Sequence, residues 1–235
     1  MKYTLAFTTY NSFEYMKRQL DRDYFNLSDG ILDEIVIQDD CSSDYARLRP
    51  FETPNVRIFQ NSARLLPLLS RVELIKNCKN EWIILMDSDN FLTPKSFSYL
   101  KNLTPNSGTI YAPGLGYPNF DFKSQYSDVN VDLSLAANRV GQPGTNWMNV
   151  LLNTGNYLIP KSEYLSVSTM IDPNLPVCPC EVLYFNYLWL KSGRSIFCAA
   201  DYEYIHTQRP DSFYSTYCAD TRLPESVYEL YYKHK

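Results

Sequence analysis

Two aspartates separated by one serine, Asp87-Ser88-Asp89, directly follow the apolar run Trp82 to Met86 (WIILM). A pair of carboxylates at a strand end can hold a divalent cation, Mn2+ or Mg2+, between themselves and a diphosphate, so that the metal offsets charge on a leaving nucleotide. The ordinary alternative is a polar turn, in which Asp and Ser hydrogen-bond their own backbone. A second acidic run, Asp39-Asp40-Cys41-Ser42-Ser43-Asp44, follows EIVIQ (Glu34 to Gln38), and a carboxylate placed there can accept hydrogen bonds from a nucleobase or a ribose. Thr8-Thr9-Tyr10-Asn11 follows the first apolar run. It would bring backbone N–H groups, a hydroxyl and an aromatic face to a nucleotide at a helix N-terminus. Each of these two runs has the same bland alternative, a surface turn.

The elements that must position these residues are legible in outline. Tyr3 to Phe7, Glu34 to Gln38, Val56 to Gln60 and Trp82 to Met86 read as short buried strands rich in β-branched and aromatic residues. Between them, Asn11-Ser12-Phe13-Glu14 offers a helix start in which Asn11 can cap and Glu14 can reach back. Leu65 to Cys78 carries apolar residues at helical spacing, and Thr93-Pro94 pairs a cap with a proline at the first helical position. Strands alternating with helices indicate βαβ units and a mostly parallel sheet, whose ligands gather at the carboxyl ends of the strands. Thr8 to Asn11, Asp39-Asp40, Asn61 and Asp87-Ser88-Asp89 then share one rim, and the first half closes near residue 105. From Tyr111 to Gly144 the chain is rich in Gly, Pro, Asn, Asp and Tyr, which predicts a long loop or lid. Asn156 to Ile159 and Ile196 to Ala199 read as further strands, and Glu181 to Ser192 as a helix stopped by Gly193. Tyr202 to Ser215 reads as polar, aromatic chain that could cross the rim, with YEYI at Tyr202 to Ile205 strand-like.

Composition bounds the function classes. The 235 residues, 45% hydrophobic and 20% charged, suffice for one large α/β domain with a buried core. A net charge of −4 with scattered Lys and Arg lacks the basic footprint of a nucleic-acid binder. No apolar run reaches the roughly 20 residues that a bilayer span needs, and Met1-Lys2 leads straight into a strand-like segment without a signal-peptide pattern. The expectation is a cytoplasmic protein with no nucleic-acid partner. Six cysteines, Cys41, Cys78, Cys178, Cys180, Cys198 and Cys218, are spread out, and the one-residue gap of Cys178-Pro179-Cys180 does not match zinc spacing, so reduced structural thiols are expected.

Taken together, TTYN at 8 to 11, DDCSSD at 39 to 44, Arg71 in its helix and DSDN at 87 to 90 resemble, in order, spacing and type, the nucleotide-binding half of the GT-A glycosyltransferases. The resemblance is to the large inverting group called family 2, which typically reads (P)TYN, DDGSxD, an Arg-bearing helix and DSDD. It covers residues 3 to 104 best. Thr8 stands for the usual proline, Cys41 for the glycine and Asn90 for the final aspartate.

The resemblance implies an α/β, GT-A (Rossmann-like) single domain with a mostly parallel central sheet flanked by helices. Residues 1–105 would form its nucleotide-sugar half and 106–235 its acceptor half. It implies that Thr8, Tyr10 and Asn11 border the nucleotide and that Asp39 binds the base, with Asn61 on the same rim. Arg71 would approach the diphosphate, Asp87 with Ser88 would meet ribose or metal, and Asp89 would be the principal metal ligand. An inverting transfer needs a general base near the acceptor hydroxyl. The family commonly draws it from an acid opening a helix in the second half, which points to Glu181, with Asp172 as second choice. His206-Thr207-Gln208-Arg209 resembles the late segment that returns over the diphosphate, His206 as third metal ligand or phosphate donor and Arg209 as phosphate binder. Asn153 to Asn156 resembles the start of the acceptor-side strand. The implied partners are a nucleotide-diphospho-sugar, with UDP as carrier, and a carbohydrate or other hydroxyl acceptor, and the chain could be one domain of a larger transferase.

Rival functions fit less well. A haloacid-dehalogenase-type phosphohydrolase wants Thr or Val where Phe91 stands, and a sugar nucleotidyltransferase wants a glycine-rich loop after the first strand. A non-catalytic carbohydrate or nucleotide binder on the same scaffold is the alternative from a different class, since a fold does not fix a function.

Overall fold

The computed structural model describes residues 1–140, 142–143, 150–172 and 181–210. Cys178, Cys180, Cys218 and the chain beyond 210, including the end of the expected rim-crossing segment, lie outside them, while Cys41, Cys78 and Cys198 are free thiols. No helix among the described residues is long and apolar enough to cross a membrane.

The first half alternates as expected: β1 (Tyr3–Thr9), α1 (Phe13–Leu20), α2 (Tyr24–Leu27), β2 (Leu32–Asp39), β3 (Val56–Gln60), α3 (Leu66–Asn77) and β4 (Trp82–Asp87). It continues through β5 (Phe91–Leu92) and α4 (Pro94–Asn102), where Thr93 accepts from the Ser96 N–H as the predicted cap. The second half holds β6 (Thr109–Tyr117), β7 (Phe120–Asp121), α5 (Lys123–Tyr126), β8 (Val129–Val131) and α6 (Leu133–Arg139). It ends with β9 (Tyr157–Pro160), α7 (Lys161–Ser168), α8 (Glu181–Lys191) and β10 (Ser195–Ile205).

One sheet runs β3-β2-β1-β4-β9-β6-β10-β5, with β7 on β6 and β8 on β10. The strands β3, β2, β1 and β4 are parallel, β9 is antiparallel to both β4 and β6, and β10 is parallel to β6. Two antiparallel steps restore direction, so β6 and β10 point their carboxyl ends to the rim that carries Thr9, Asp39 and Asp87. An apolar cluster fills each face of the sheet. Side chains of α3, α7 and α8 lie in one, and those of α1, α2 and α4 in the other. Helix α8 is buried at every position from Glu181 to Leu190, so it fills the core instead of covering it.

Two expectations are corrected here. The segment from Tyr111 onward is not a long loop: it opens with the central strand β6, flanked by β9 and β10. Its Pro and Gly residues are what the neighbours require. A Cβ on Gly114 would lie 2.8 Å from the Ala199 carbonyl oxygen, and one on Gly116 would overlap the Tyr204 ring. Pro113 pairs with Ala199 at the point where β10 shifts register. Tyr202 to Ile205, the strand-like YEYI, is indeed strand and completes β10, because the fully buried Tyr202 and Tyr204 alternate with outward-facing Asp201 and Glu203. The helix starts also differ in detail. Ser12, not Asn11, is the cap position of α1 and makes no side-chain cap bond, and Glu14 pairs with Arg47 at 2.7 Å instead of reaching back.

Candidate active site

The loop after β2 organises both of its neighbours. Asp44 Oδ2 accepts from the Phe13 N–H at the start of α1 (3.1 Å), and Asp40 accepts from Leu65 N (2.8 Å) and Leu66 N (2.9 Å) at the start of α3. Both supply caps that the local sequences lack. Asn11, at φ +46°, accepts from the Ser43 N–H at 3.0 Å and donates its own N–H to Ser42 Oγ at 2.8 Å, which stitches TTYN to DDCSSD. Tyr10, partly exposed, carries the Arg64 guanidinium 3.9 Å over its ring. Thr8 stands in the sheet between Gln38 and Asp87.

Asp39 is fully buried at the end of β2. Its Oδ2 accepts from Ser42 N at 2.8 Å and Gln60 Nε2 at 3.2 Å, whereas its Oδ1 has no hydrogen-bond partner among the described residues. Burial raises its pKa, and the Ser42 and Gln60 bonds oppose that rise. A buried acceptor without a donor costs free energy unless something supplies one. Asn61, expected to face the nucleotide, spends its amide on the scaffold: it donates to Asp40 at 2.8 Å and accepts from Gln38 at 2.8 Å.

At the end of β4 the charges are paired in an unexpected way. Arg71 is buried in α3, donating from Nη2 to Asp87 Oδ1 at 2.8 Å and from Nη1 to Glu181 Oε1 at 3.0 Å. The cation expected at the diphosphate thus joins the strand-end aspartate to the first residue of α8. Burial disfavours its charge, but Asp87 and Glu181 outweigh that and raise its pKa. Burial pushes the Glu181 carboxyl up to about 7, because Arg71 is shared with Asp87 and compensates only in part. Asp172 is exposed and its N–H donates to the Tyr184 hydroxyl at 3.1 Å, next to the first turn of α8.

Asp89 lies with its Oδ2 3.7 Å from Arg209 Nε, and Arg209 also donates to Ser12 Oγ at 2.9 Å and lies 4.1 Å over the Tyr15 ring. Arg209 therefore does return over the rim. His206 does not join the acidic pair: its Nδ1 is 2.6 Å from Asn119 Oδ1. Among the described residues no three His, Cys, Asp or Glu side chains converge to hold a metal, so the trio Asp87, Asp89 and His206 is not assembled. Asp87 pairs with Arg71 and His206 with Asn119.

The residues that hold this turn were invisible as site residues in the sequence. Gln19 is buried on α1 and donates to the carbonyls of Ser88 (3.0 Å) and Asn90 (2.7 Å). A polar residue on the apolar face that Phe13 and Met16 define was the available signal. Asn156 accepts from the Asp87 N–H at 2.9 Å and donates to the Thr154 carbonyl at 2.7 Å. Gly155, at φ +69°, leaves room beside it: a Cβ there would lie 3.0 Å from Asp87 Oδ2 and 3.2 Å from Arg71 Nη2. Gly30 has φ +78° with nothing within 4 Å, so it serves as a control. Either substitution to alanine carries roughly 1–2 kcal/mol of left-handed backbone cost. Gly155→Ala is expected to lower the thermal midpoint clearly further than Gly30→Ala. Equal midpoints would show that the close approach to Asp87 and Arg71 is unstrained.

A mostly parallel α/β sheet with acidic residues, an N-terminal helix turn and arginines on one carboxyl-end rim defines an α/β domain of Rossmann-like type. The sequence model of glycosyl transferase family 2 matches residues 4–129, more than half of the chain, and the chain belongs to that family. Its architecture is the GT-A fold. No curated protein matches the sequence. Among solved structures, S. aureus TarS 1–349 in complex with UDP-GlcNAc aligns with TM-score 0.65 at 17% identity, covering 98% of this chain and 64% of that one. The S. aureus TarS structure aligns with TM-score 0.58 at 16% identity, covering 100% and 43%. GalNAc-T7 with UDP, GalNAc and Mn2+ aligns with TM-score 0.57 at 15% identity, covering 89% and 44%. At these identities the likeness is one of fold. The chain spans less than two thirds of the length of these relatives.

Proposed function

We propose that the chain transfers a sugar from a nucleotide diphosphate donor, with UDP as carrier, to the hydroxyl of a carbohydrate or other acceptor, with inversion and with a divalent metal. The observation that carries the donor half is the buried, unpartnered Oδ1 of Asp39 at the strand end beside TTYN. An imide N–H such as that of uracil supplies the donor this atom lacks. Family membership supports the reading, as do the UDP-GlcNAc of TarS and the UDP and Mn2+ of GalNAc-T7. The greater length of these relatives is in keeping with a place within a larger transferase. The cytoplasmic location expected from the sequence is retained in this proposal.

The donor set suits a hard cation. Asp87 and Asp89 offer carboxylate oxygens one residue apart, and Mg2+ or Mn2+ is commonly held by one or two carboxylates plus substrate phosphates. When bound there, the cation would offset the charge of the departing diphosphate. The chain's own residues do the rest. Gln19 and Asn156 fix the Asp87-to-Asn90 turn, and Arg209 adds a positive charge beside Asp89. Glu181, near neutrality in its proton affinity, takes the proton of the acceptor hydroxyl as that oxygen bonds to the anomeric carbon. The carbon–oxygen bond to the diphosphate breaks, its electron pair leaving on the phosphate oxygen.

Isothermal titration of UDP, GDP and dTDP with and without Mn2+ tests the donor half. UDP is expected to bind in a metal-dependent way, and Asp89→Ala to weaken that binding by roughly 100-fold while metal-free binding changes little. Equal UDP affinity with and without Mn2+ would remove the metal from the proposal. Failure of all three nucleotides to bind would favour a non-catalytic carbohydrate binder.

A further inference from the structure

Asn90 closes the acidic turn and is 1% exposed. Its main chain is held from two sides: its N–H donates to the Asp87 carbonyl at 3.2 Å, and its carbonyl accepts from Gln19 Nε2 at 2.7 Å. Gln19 is itself fixed, since its Oε1 accepts from the Tyr24 hydroxyl at 2.5 Å. The side chain of Asn90 reaches out of the turn to a segment 117 residues later, where its Oδ1 accepts from the Thr207 N–H at 3.0 Å. Its Nδ2 stays with the turn, 3.4 Å from both Asp87 Oδ2 and Asn156 Oδ1. An amide can do both because it carries an acceptor and a donor, and it adds no third negative charge beside Asp87 and Asp89.

The segment that Asn90 holds is the one that carries Arg209. Where the chain leaves β10, the His206 N–H donates to the Tyr117 carbonyl at 2.8 Å. Thr207 is then tied to the acidic turn, and two residues on, Arg209 donates to Ser12 Oγ at 2.9 Å and places its Nε 3.7 Å from Asp89 Oδ2. Two residues of chain span at most about 7 Å, so the Thr207 anchor limits where the Arg209 guanidinium can stand. The anchor is a main-chain N–H, so it depends on residue 90 and not on the side chain of Thr207.

We propose that Asn90 is a positioning residue for the diphosphate of the donor: by holding the Thr207 N–H, it sets the Arg209 guanidinium beside Asp89. Pairing of a guanidinium with a phosphate depends on its placement, because the planar fork of donors must face the oxygens. The role rests on the proposed glycosyl transfer, which supplies the nucleotide diphosphate.

Two measurements on the full chain test it. In hydrogen exchange, the Thr207 amide should exchange about tenfold or more faster in Asn90→Ala than in the natural chain, and near the natural rate in Asn90→Asp, which keeps the acceptor. In titration with UDP at saturating Mn2+, which offsets the added charge of the aspartate, Asn90→Ala should weaken binding about tenfold, the weight of one hydrogen bond. Asn90→Asp should weaken it less than about threefold. The loss should pass through Arg209, so in an Arg209→Ala background Asn90→Ala should cost less than about a further threefold. Undiminished UDP affinity in Asn90→Ala, or a loss that adds in full to that of Arg209→Ala, would overturn the role, as would Thr207 exchange that Asn90→Ala leaves unchanged. A natural chain that binds no UDP, while its Thr207 exchange depends on Asn90, would leave the tether standing and overturn the donor reading on which the diphosphate role rests.

Discussion

Replacing Arg71 by methionine is expected to destabilise the fold by about 3–5 kcal/mol, the usual cost of removing one partner from a buried ion pair. The guanidinium is the shared counter-ion of Asp87 and Glu181, and its side chain is only 8% exposed. Methionine keeps much of the packing volume but leaves two carboxylates facing each other across an apolar gap. Urea unfolding of Arg71→Met, Glu181→Gln and the double variant checks this. The double variant should lose less than the sum of the single losses, by a coupling on the order of 1–3 kcal/mol. Additive losses would mean that the two bonds of Arg71 matter only as packing. Nucleotide affinity belongs in the same experiment. If Arg71 met the diphosphate directly, UDP binding would collapse in a variant that is still folded. If it acts through Asp87, the loss should be partial and should shrink when Mn2+ is saturating.

Glu181→Gln is expected to lower kcat by roughly 10²–10⁴-fold, the range for loss of a general base, while leaving the Kd for UDP within about threefold. The natural chain should show an ascending limb in kcat/KM centred near pH 7, because Glu181 must be ionised to accept a proton and burial holds its pKa at about 7. That limb should vanish in the glutamine variant, and full turnover there would move the base role to Asp172, with Asp172→Asn as the next variant. Stability carries the opposite sign. The folded-state value of about 7 lies above the ordinary glutamate value of 4.5, so the contribution of Glu181 to stability is full below 4.5 and is lost as pH rises through 7. The conditions that arm the base are therefore those that strain the helix start it occupies.

Several parts of the site could be read directly from the chain. WIILM followed by Asp-Ser-Asp, and EIVIQ followed by Asp-Asp, place carboxylates at strand ends because a short β-branched run bounded by polar residues has few other folded states. Helix α8 was legible because a continuous apolar run with an acid at its head and Gly193 at its foot has one natural span. β6 was not legible. It is enclosed by strands on both sides, so it shows no alternation, and the glycines that let Ala199 and Tyr204 approach resemble those of a loop. The end of β10 was legible as the strand-like YEYI, whose Tyr202 and Tyr204 are buried.

The sequence by itself determined which residue types reach the rim, since strand periodicity and turn chemistry are local properties carried within a few residues. It determined the family for the same reason, because the order and spacing of TTYN, DDCSSD and DSDN lie along the chain. The tertiary structure decided the pairings. Arg71 and Glu181 are 110 residues apart, Ser12 and Arg209 197, and His206 and Asn119 87. A guanidinium can satisfy either a diphosphate or two carboxylates, and an imidazole either a metal or an amide. Only the packing of the second half of the sheet against the first sets such distances, and it brings Arg71 within reach of both Asp87 and Glu181.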